Sequence, residues 1–126
     1  DPIFKEVLMT ATIRGGKQHH KDIAQITIDW AISRLGLSDR SFEVILVIQA
    51  LDGYCGECLP GREAHRPRYN VSINPDQSLR NFIGTIVHEM IHVRQYLEGE
   101  WTQDGERECG ELEMLLTDEL WRQGLI

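Results

Sequence analysis

The chain has 126 residues, 41% of them hydrophobic, and its 13 basic and 20 acidic residues give a net charge of −7. This length and hydrophobic content are enough for one core, so we expect a single domain over residues 1–126. The acidic balance argues against nucleic acid as a partner. No apolar span is long enough to cross a membrane and no signal peptide is visible, which favours a cytoplasmic protein.

The first third of the chain predicts a strand, a helix and a second strand. Residues 3–14 can form a strand that ends at Gly15. Apolar residues at helical spacing predict an amphipathic helix from Lys17 to Leu35, which Gly36 ends. The unbroken apolar run Val44–Ile48 is typical of a strand buried on both faces. These elements are expected to form scaffold.

The segment Leu51–Pro67 is predicted to be the longest irregular stretch, and long loops in compact domains are often functional. Cys55 and Cys58 have the spacing of half a zinc site, and with His65 they are candidates for a second metal site. The only other cysteine is Cys109, so reduced thiols without a ligand are the default interpretation.

Alternating apolar and polar residues from Arg68 to Asn74 predict an antiparallel strand, half exposed beside a cleft. Such a strand at a sheet edge would bind an extended peptide through main-chain hydrogen bonds. An ordinary strand within a sheet is an equally good interpretation.

A second helix is predicted from Ser78 to Glu98, with Ser78 as its cap and Gly99 as its stop. His88 and His92 lie opposite its apolar stripe, so we expect them to face a cleft or solvent. The stripe consists of Leu79, Phe82, Ile83, Ile86, Met90, Val93 and Leu97.

The sequence His88-Glu89-Met90-Ile91-His92 predicts a zinc site on this helix. Two histidines four residues apart share one helix face and can hold one zinc ion. The carboxylate of Glu89 can reach a metal-activated water without being a ligand, which is the arrangement of zinc peptidases. A pair of solvated histidines is the alternative, but the small or apolar neighbours Thr85, Ile86, Val87 and Val93 argue against it.

Catalytic zinc usually takes a third protein ligand. The segment Gly105–Arg122 predicts a helix with Cys109, Leu112, Leu115, Leu116 and Leu120 on its core side. Glu113 lies at the edge of this apolar face, where a carboxylate needs a partner, so we expect Glu113 to be the third ligand. Glu111 is the reserve. A partly buried acid paired with an arginine or a helix end is the alternative for Glu113.

These motifs resemble those of the gluzincin clan of zincin metallopeptidases, in particular the minigluzincins and short phage and prokaryotic metallopeptidases. The resemblance covers residues 42–123 and includes the run His88–Tyr96 and the pair Glu111-Leu112-Glu113. Arg94 and Met114 depart from the family pattern. The resemblance implies a zincin-like α+β fold with a small, mostly antiparallel sheet. An N-terminal helix, the active-site helix and a C-terminal ligand-bearing helix would pack against this sheet.

The implied activity is zinc-dependent hydrolysis of peptide or protein substrates, with Glu89 as general base. Zincins often stabilise the oxyanion with a phenol or an imidazole, and the candidates for that role are Tyr54, His65 and Tyr69.

Two other functions fit parts of the sequence. Gly56-Glu57-Cys58-Leu59 faintly resembles the Glu-Gly-Cys-Leu turn of peptide deformylases, in which Cys58 would be a metal ligand. A non-catalytic binding or regulatory domain that uses zinc only for stability is the other alternative.

Overall fold

The computed structural model describes residues 11–61, 66–99 and 105–126. Within these ranges four strands and three helices follow one another along the chain. They are β1 (Ala11–Gly15), α1 (Gln18–Arg34), β2 (Glu43–Ile48), β3 (Gly56–Pro60), β4 (Arg68–Ile73), α2 (Leu79–Glu98) and α3 (Gly105–Arg122). The α+β class predicted from the sequence is confirmed.

The four strands form one mixed sheet in the order β1-β2-β4-β3. β1 pairs parallel to β2, β2 pairs parallel to β4, and β3 pairs antiparallel to β4. The expectation of a mostly antiparallel sheet is therefore wrong. Parallel neighbours need a crossover connection, which α1 supplies between β1 and β2. The chain reverses direction between β2 and β3 and again between β3 and β4. β4 therefore runs parallel to β2, and β3 occupies the outer position.

Among the described residues β3 is an edge strand of the sheet, and it lies inside the segment predicted to be irregular. β4 has a partner strand on each side, which agrees with the interpretation of this segment as an ordinary strand within a sheet and not with the edge strand. Glycine, glutamate and proline make β3 a poor strand by composition, so its pairing with β4 decides its conformation. The part of the predicted first strand before Ala11 lies outside the described residues.

α2 begins and ends where the sequence predicts. The Ser78 side chain accepts a hydrogen bond from the Asn81 amide at 3.2 Å, and Gly99 ends the helix with a φ of 68°. Its residues Phe82, Ile86, Met90 and Val93 are buried in the main core, against the sheet and α1. Leu79, predicted to belong to the same stripe, is 42% exposed in the first turn of the helix.

α3 packs against the opposite side of α2. Val87 and Ile91 of α2 meet Cys109 and Leu116 of α3 in a second, smaller apolar cluster. Leu115, predicted to face the core, is instead 66% exposed. In the part of the chain that the structure describes, no helix is both long and apolar enough to cross a membrane.

Candidate metal centre

His88 and His92 lie one turn apart on α2, with ring centroids 4.8 Å apart. His88 is half-buried, whereas His92 is 3% exposed because α3 covers it. The expectation that both rings face a cleft or solvent is therefore correct for His88 and incomplete for His92. With Cys109 the two histidines form a group whose potential ligand atoms lie within 4.8 Å of one another.

The ring of His88 is held from α3. Its Nδ1 lies 2.9 Å from Oε1 of Glu113. An ionised carboxylate can only accept, so Nδ1 carries the proton, and in the neutral ring Nε2 is left with its lone pair. The hydrogen bond to Glu113 is the main reason why the pKa of His88 is raised, and burial opposes it. Gly84 lets Glu113 approach, since a Cβ there would lie 3.3 Å from Oε2 of Glu113.

The ring of His92 is held from its own helix. Its Nδ1 lies 2.8 Å from Oε1 of Gln95, an oxygen that only accepts. Nδ1 therefore donates here too, and Nε2 is the ring nitrogen that faces away from Gln95, toward Glu106. Both histidines are consequently arranged to offer Nε2 to a ligand.

The two Nε2 atoms meet at the carboxylate of Glu106, in the first turn of α3. Oε1 of Glu106 lies 2.7 Å from Nε2 of His92, and Oε2 lies 3.4 Å from Nε2 of His88. Lone pairs of nitrogen and oxygen at such distances repel each other unless a proton or a metal ion lies between them. Glu106 lies in the first turn of α3, where the helix dipole alone favours an acid, so the sequence does not distinguish it as a ligand.

Cys109 contacts the same histidine in a different way. Its Sγ lies 3.2 Å from Nδ1 and 3.6 Å from Nε2 of His92. Two such similar distances place the sulfur over the face of the ring, because an atom along one nitrogen's lone pair would be much farther from the other nitrogen. Burial raises the pKa of the thiol, which favours its protonated form.

Glu89 lies between α2 and the edge strand β3. The side chain is 5% exposed, and burial raises its pKa to about 7, although neighbouring His88 opposes this shift. Gly56 of β3 makes room for it: a Cβ there would lie 3.0 Å from Oε2 of Glu89 and 2.5 Å from Cγ2 of Thr85. A carboxyl group with a pKa near neutrality suits general acid and base catalysis.

Two adjoining cavities, of about 340 and 370 Å³, form a cleft around these groups. Gly56, His88 and Glu89 line both. Glu113 lines the first cavity, and His92 and Glu106 line the second. The motif residues predicted from sequence therefore meet in one cleft, together with Glu113.

The other predicted residues are dispersed. Tyr54 is exposed, and Tyr69 is buried in the core, stacked on Tyr96 with ring centroids 5.7 Å apart. Glu111 is exposed and lies 3.4 Å from Arg107. Tyr96, which sequence reasoning did not select, lines the second cavity, and its position one turn after His92 was the available signal.

The cysteine pair does not extend the metal centre. Cys58 is buried and lines the second cavity, and Cys55 is exposed and lines the first. Among the described residues neither belongs to a group of three potential metal ligands. His65, the proposed third member of a second site, lies outside the described residues.

No protein-family model, curated protein or solved structure matches this chain. The resemblance to gluzincins therefore stays a prediction from sequence motifs.

Proposed function

We propose that this protein is a zinc-dependent metallopeptidase that holds its metal with His88, His92 and Glu106. The observation that carries the proposal is the convergence of both Nε2 atoms on one carboxylate, at 2.7 and 3.4 Å, while each Nδ1 is engaged elsewhere. Catalytic zinc sites commonly combine two such imidazoles with one carboxylate and hold each imidazole through its other nitrogen.

The local charge also suits a divalent cation. Three carboxylates, those of Glu89, Glu106 and Glu113, surround two imidazoles, and Glu89 is almost completely buried. Buried carboxylates need a compensating partner, and a metal ion is one. Glu113 contacts Nδ1 of His88, which is not the nitrogen that would bind the metal. In this proposal Glu113 therefore orients the His88 ring, and Glu106 is the ligand.

Zinc bound there would supply Lewis-acid chemistry, lowering the pKa of water and polarising the scissile carbonyl. Glu89 is placed to accept the proton of the attacking water and to pass it to the leaving amine. Tyr96 lines the same cavity as Glu89 and is the candidate donor to the developing oxyanion.

The edge strand β3 supports a peptide as the substrate. Within the described residues β3 pairs with β4 alone, and Gly56 to Leu59 line the second cavity. An edge strand can bind an extended peptide by strand addition, which would bring a main-chain carbonyl to the cleft.

The test compares zinc-loaded wild type with Glu89→Gln on a quenched-fluorescent peptide library. Glu89→Gln should keep zinc and lose hydrolysis by at least about 100-fold, because the general base is gone. Glu111→Gln is the matched control, since Glu111 is exposed and away from the cleft, and it should keep wild-type activity. Wild-type turnover by Glu89→Gln, or no hydrolysis by zinc-loaded wild type, would contradict the proposal.

A further inference from the structure

We infer that a small apolar cavity beside the first turns of α2 is a subsite for the substrate, and that it takes an aromatic side chain several residues away from the scissile bond. This inference rests on the proposed function, because it requires a peptide bound along the cleft. The small cavity has a volume of about 140 Å³ and lies between the starts of α1 and α2. Its apolar and imidazole walls are His19, His20, Ile23, Pro75, Leu79 and Phe82.

The size and the walls of the small cavity fit an aromatic ring. A cavity of about 150 Å³ lined by apolar side chains can hold one benzene molecule. The rings of His20 and Phe82 are tilted by 39° with their centroids 5.5 Å apart, and the ring of His19 lies 4.1 Å from that of His20. Tilted rings at such separations pack favourably with a further ring. An aromatic side chain would therefore fill the volume and contact other rings as well as aliphatic groups.

The small cavity differs from the cleft in charge. The two cavities of the cleft are lined by four carboxylates, those of Glu57, Glu89, Glu106 and Glu113. Among the described residues that line the small cavity there is no Asp, Glu, Lys or Arg. Burial lowers the pKa of His20, and the neighbouring His19 and Lys17 lower it further, so this ring is neutral at pH 7. Such walls suit an uncharged, apolar occupant.

Gln77 connects the small cavity to the cleft, because it lines both. Its Nε2 donates to the Asn74 carbonyl at 2.7 Å, and its Oε1 lies 3.2 Å from Oγ1 of Thr85. The amide is therefore held in place by the protein and forms a shared wall. A peptide that lies in the cleft can place a side chain past this wall in the small cavity.

The position of the small cavity along α2 sets its place in the substrate. Phe82, Thr85 and Glu89 follow one another at spacings of three and four residues, so they lie on one side of the helix. The seven residues from Phe82 to Glu89 correspond to roughly 10 Å, at about 1.5 Å per residue. An extended peptide advances about 3.3 Å per residue, so the small cavity lies about three or four residues from the bond at which Glu89 would act.

The test uses Leu79→Glu, which places a charge at the edge of the small cavity. Leu79 is 42% exposed and is the first residue of α2, where the helix dipole favours an acid, so this variant should fold. Leu115→Glu is the matched control, because Leu115 is an exposed leucine on α3 that lines neither the small cavity nor the cleft.

The first measurement is the cleavage of a peptide library by the zinc-loaded proteins, with the cleaved bonds identified by mass spectrometry. Wild type and Leu115→Glu should prefer phenylalanine over alanine by at least about 10-fold in kcat/KM, at one position about three or four residues from the cleaved bond. In Leu79→Glu this ratio should fall to near unity. No aromatic preference at that distance in wild type, or an unchanged ratio in Leu79→Glu, would overturn the inference.

The second measurement needs neither zinc nor hydrolysis. N-acetylphenylalaninamide is titrated into each protein, and the ring signals of His20 and Phe82 are followed by NMR. These signals should shift and saturate in wild type and Leu115→Glu but not in Leu79→Glu, and N-acetylalaninamide should leave them unmoved. No shift in wild type, or the same shift with the alanine compound, would overturn the inference. Saturable binding by a wild type that hydrolyses no peptide contradicts the proposed function and supports the small cavity as a site for an aromatic side chain.

Discussion

The two sides of α2 differ in the kind of residue that they bury. Among the described residues, the side toward the sheet and α1 belongs to a cluster of 18 buried residues, to which α2 contributes Phe82, Ile86, Met90 and Val93. The side toward α3 belongs to a cluster of four, Val87, Ile91, Cys109 and Leu116, next to the buried polar residues His92 and Gln95. The first side buries mainly apolar residues. The second side buries fewer apolar residues and includes polar groups that can bind a ligand.

This difference implies that the two sides of α2 differ in local stability. Regions with fewer buried apolar contacts open locally at a lower free energy than the main core. We therefore expect α3 to depend on its polar contacts with α2, and on a metal ion, more than the sheet does.

The largest effect should come from the main core. Met90 is fully buried against the sheet, so Met90→Ala should lower the free energy of unfolding by about 2–5 kcal/mol. Met114→Ala is the matched control, since Met114 is 70% exposed on α3, and its effect should stay within about 0.5 kcal/mol. Urea denaturation measures both, and equal losses would contradict the assignment of the core.

Zinc should stabilise the α3 side by mass action. At a free zinc concentration about 100 times the Kd, binding adds about 2.7 kcal/mol to the free energy of any opening that breaks the site. Hydrogen exchange should therefore slow most in α3 from Gly105 to Arg122, where Glu106 and Glu113 lie. His88→Ala should abolish this protection. Protection of β2 alone would show that zinc binds elsewhere.

Gly56→Ala should damage the contact between β3 and α2. The new Cβ would lie 2.5 Å from Cγ2 of Thr85, and overpacking of this kind costs about 1–3 kcal/mol. Hydrolysis should fall as well, because Glu89 is displaced. Gly110→Ala is the control, since Gly110 is exposed on α3 and a Cβ there would meet nothing within 4 Å. Unchanged stability and activity in Gly56→Ala would contradict the close approach of β3.

The smallest effect should come from Thr117 on α3. Its hydroxyl is buried and has no hydrogen-bond partner within the described residues, so Thr117→Val should be neutral or stabilising by up to about 1 kcal/mol. Thr27→Val is the matched control, since its buried hydroxyl donates to the Ile23 carbonyl at 2.8 Å, and it should lose about 1 kcal/mol. The same change in stability in both variants would contradict this distinction.

The sequence predicted the elements whose signals are local. Ser78 and Gly99 mark the ends of α2 through capping, and apolar spacing located α1 and α3. The sheet was harder, because pairing direction depends on where β3 lies, and β3 has no strand-like composition. A parallel arrangement of β2 and β4 follows only once β3 is known to occupy the edge.

The candidate site shows the same division. The spacing of His88 and His92 on one helix is a local signal, and it located the cleft. The contacts of Glu106 and Gln95 depend on how α3 lies across α2, which no spacing within one helix reveals. Helical periodicity identified Glu113 as a partly buried acid, but it could not tell which ring nitrogen of His88 this carboxylate would meet.

The most direct test of the metal centre is the zinc content per chain of wild type, Glu106→Gln and Glu113→Gln after equal zinc loading and desalting. We predict about one zinc in wild type, loss in Glu106→Gln, and retention with weaker binding in Glu113→Gln, since outer partners change affinity by about 10- to 100-fold. Retention in Glu106→Gln with loss in Glu113→Gln would contradict the assignment of Glu106 and restore Glu113 as the ligand. No zinc in wild type would contradict the metal centre itself.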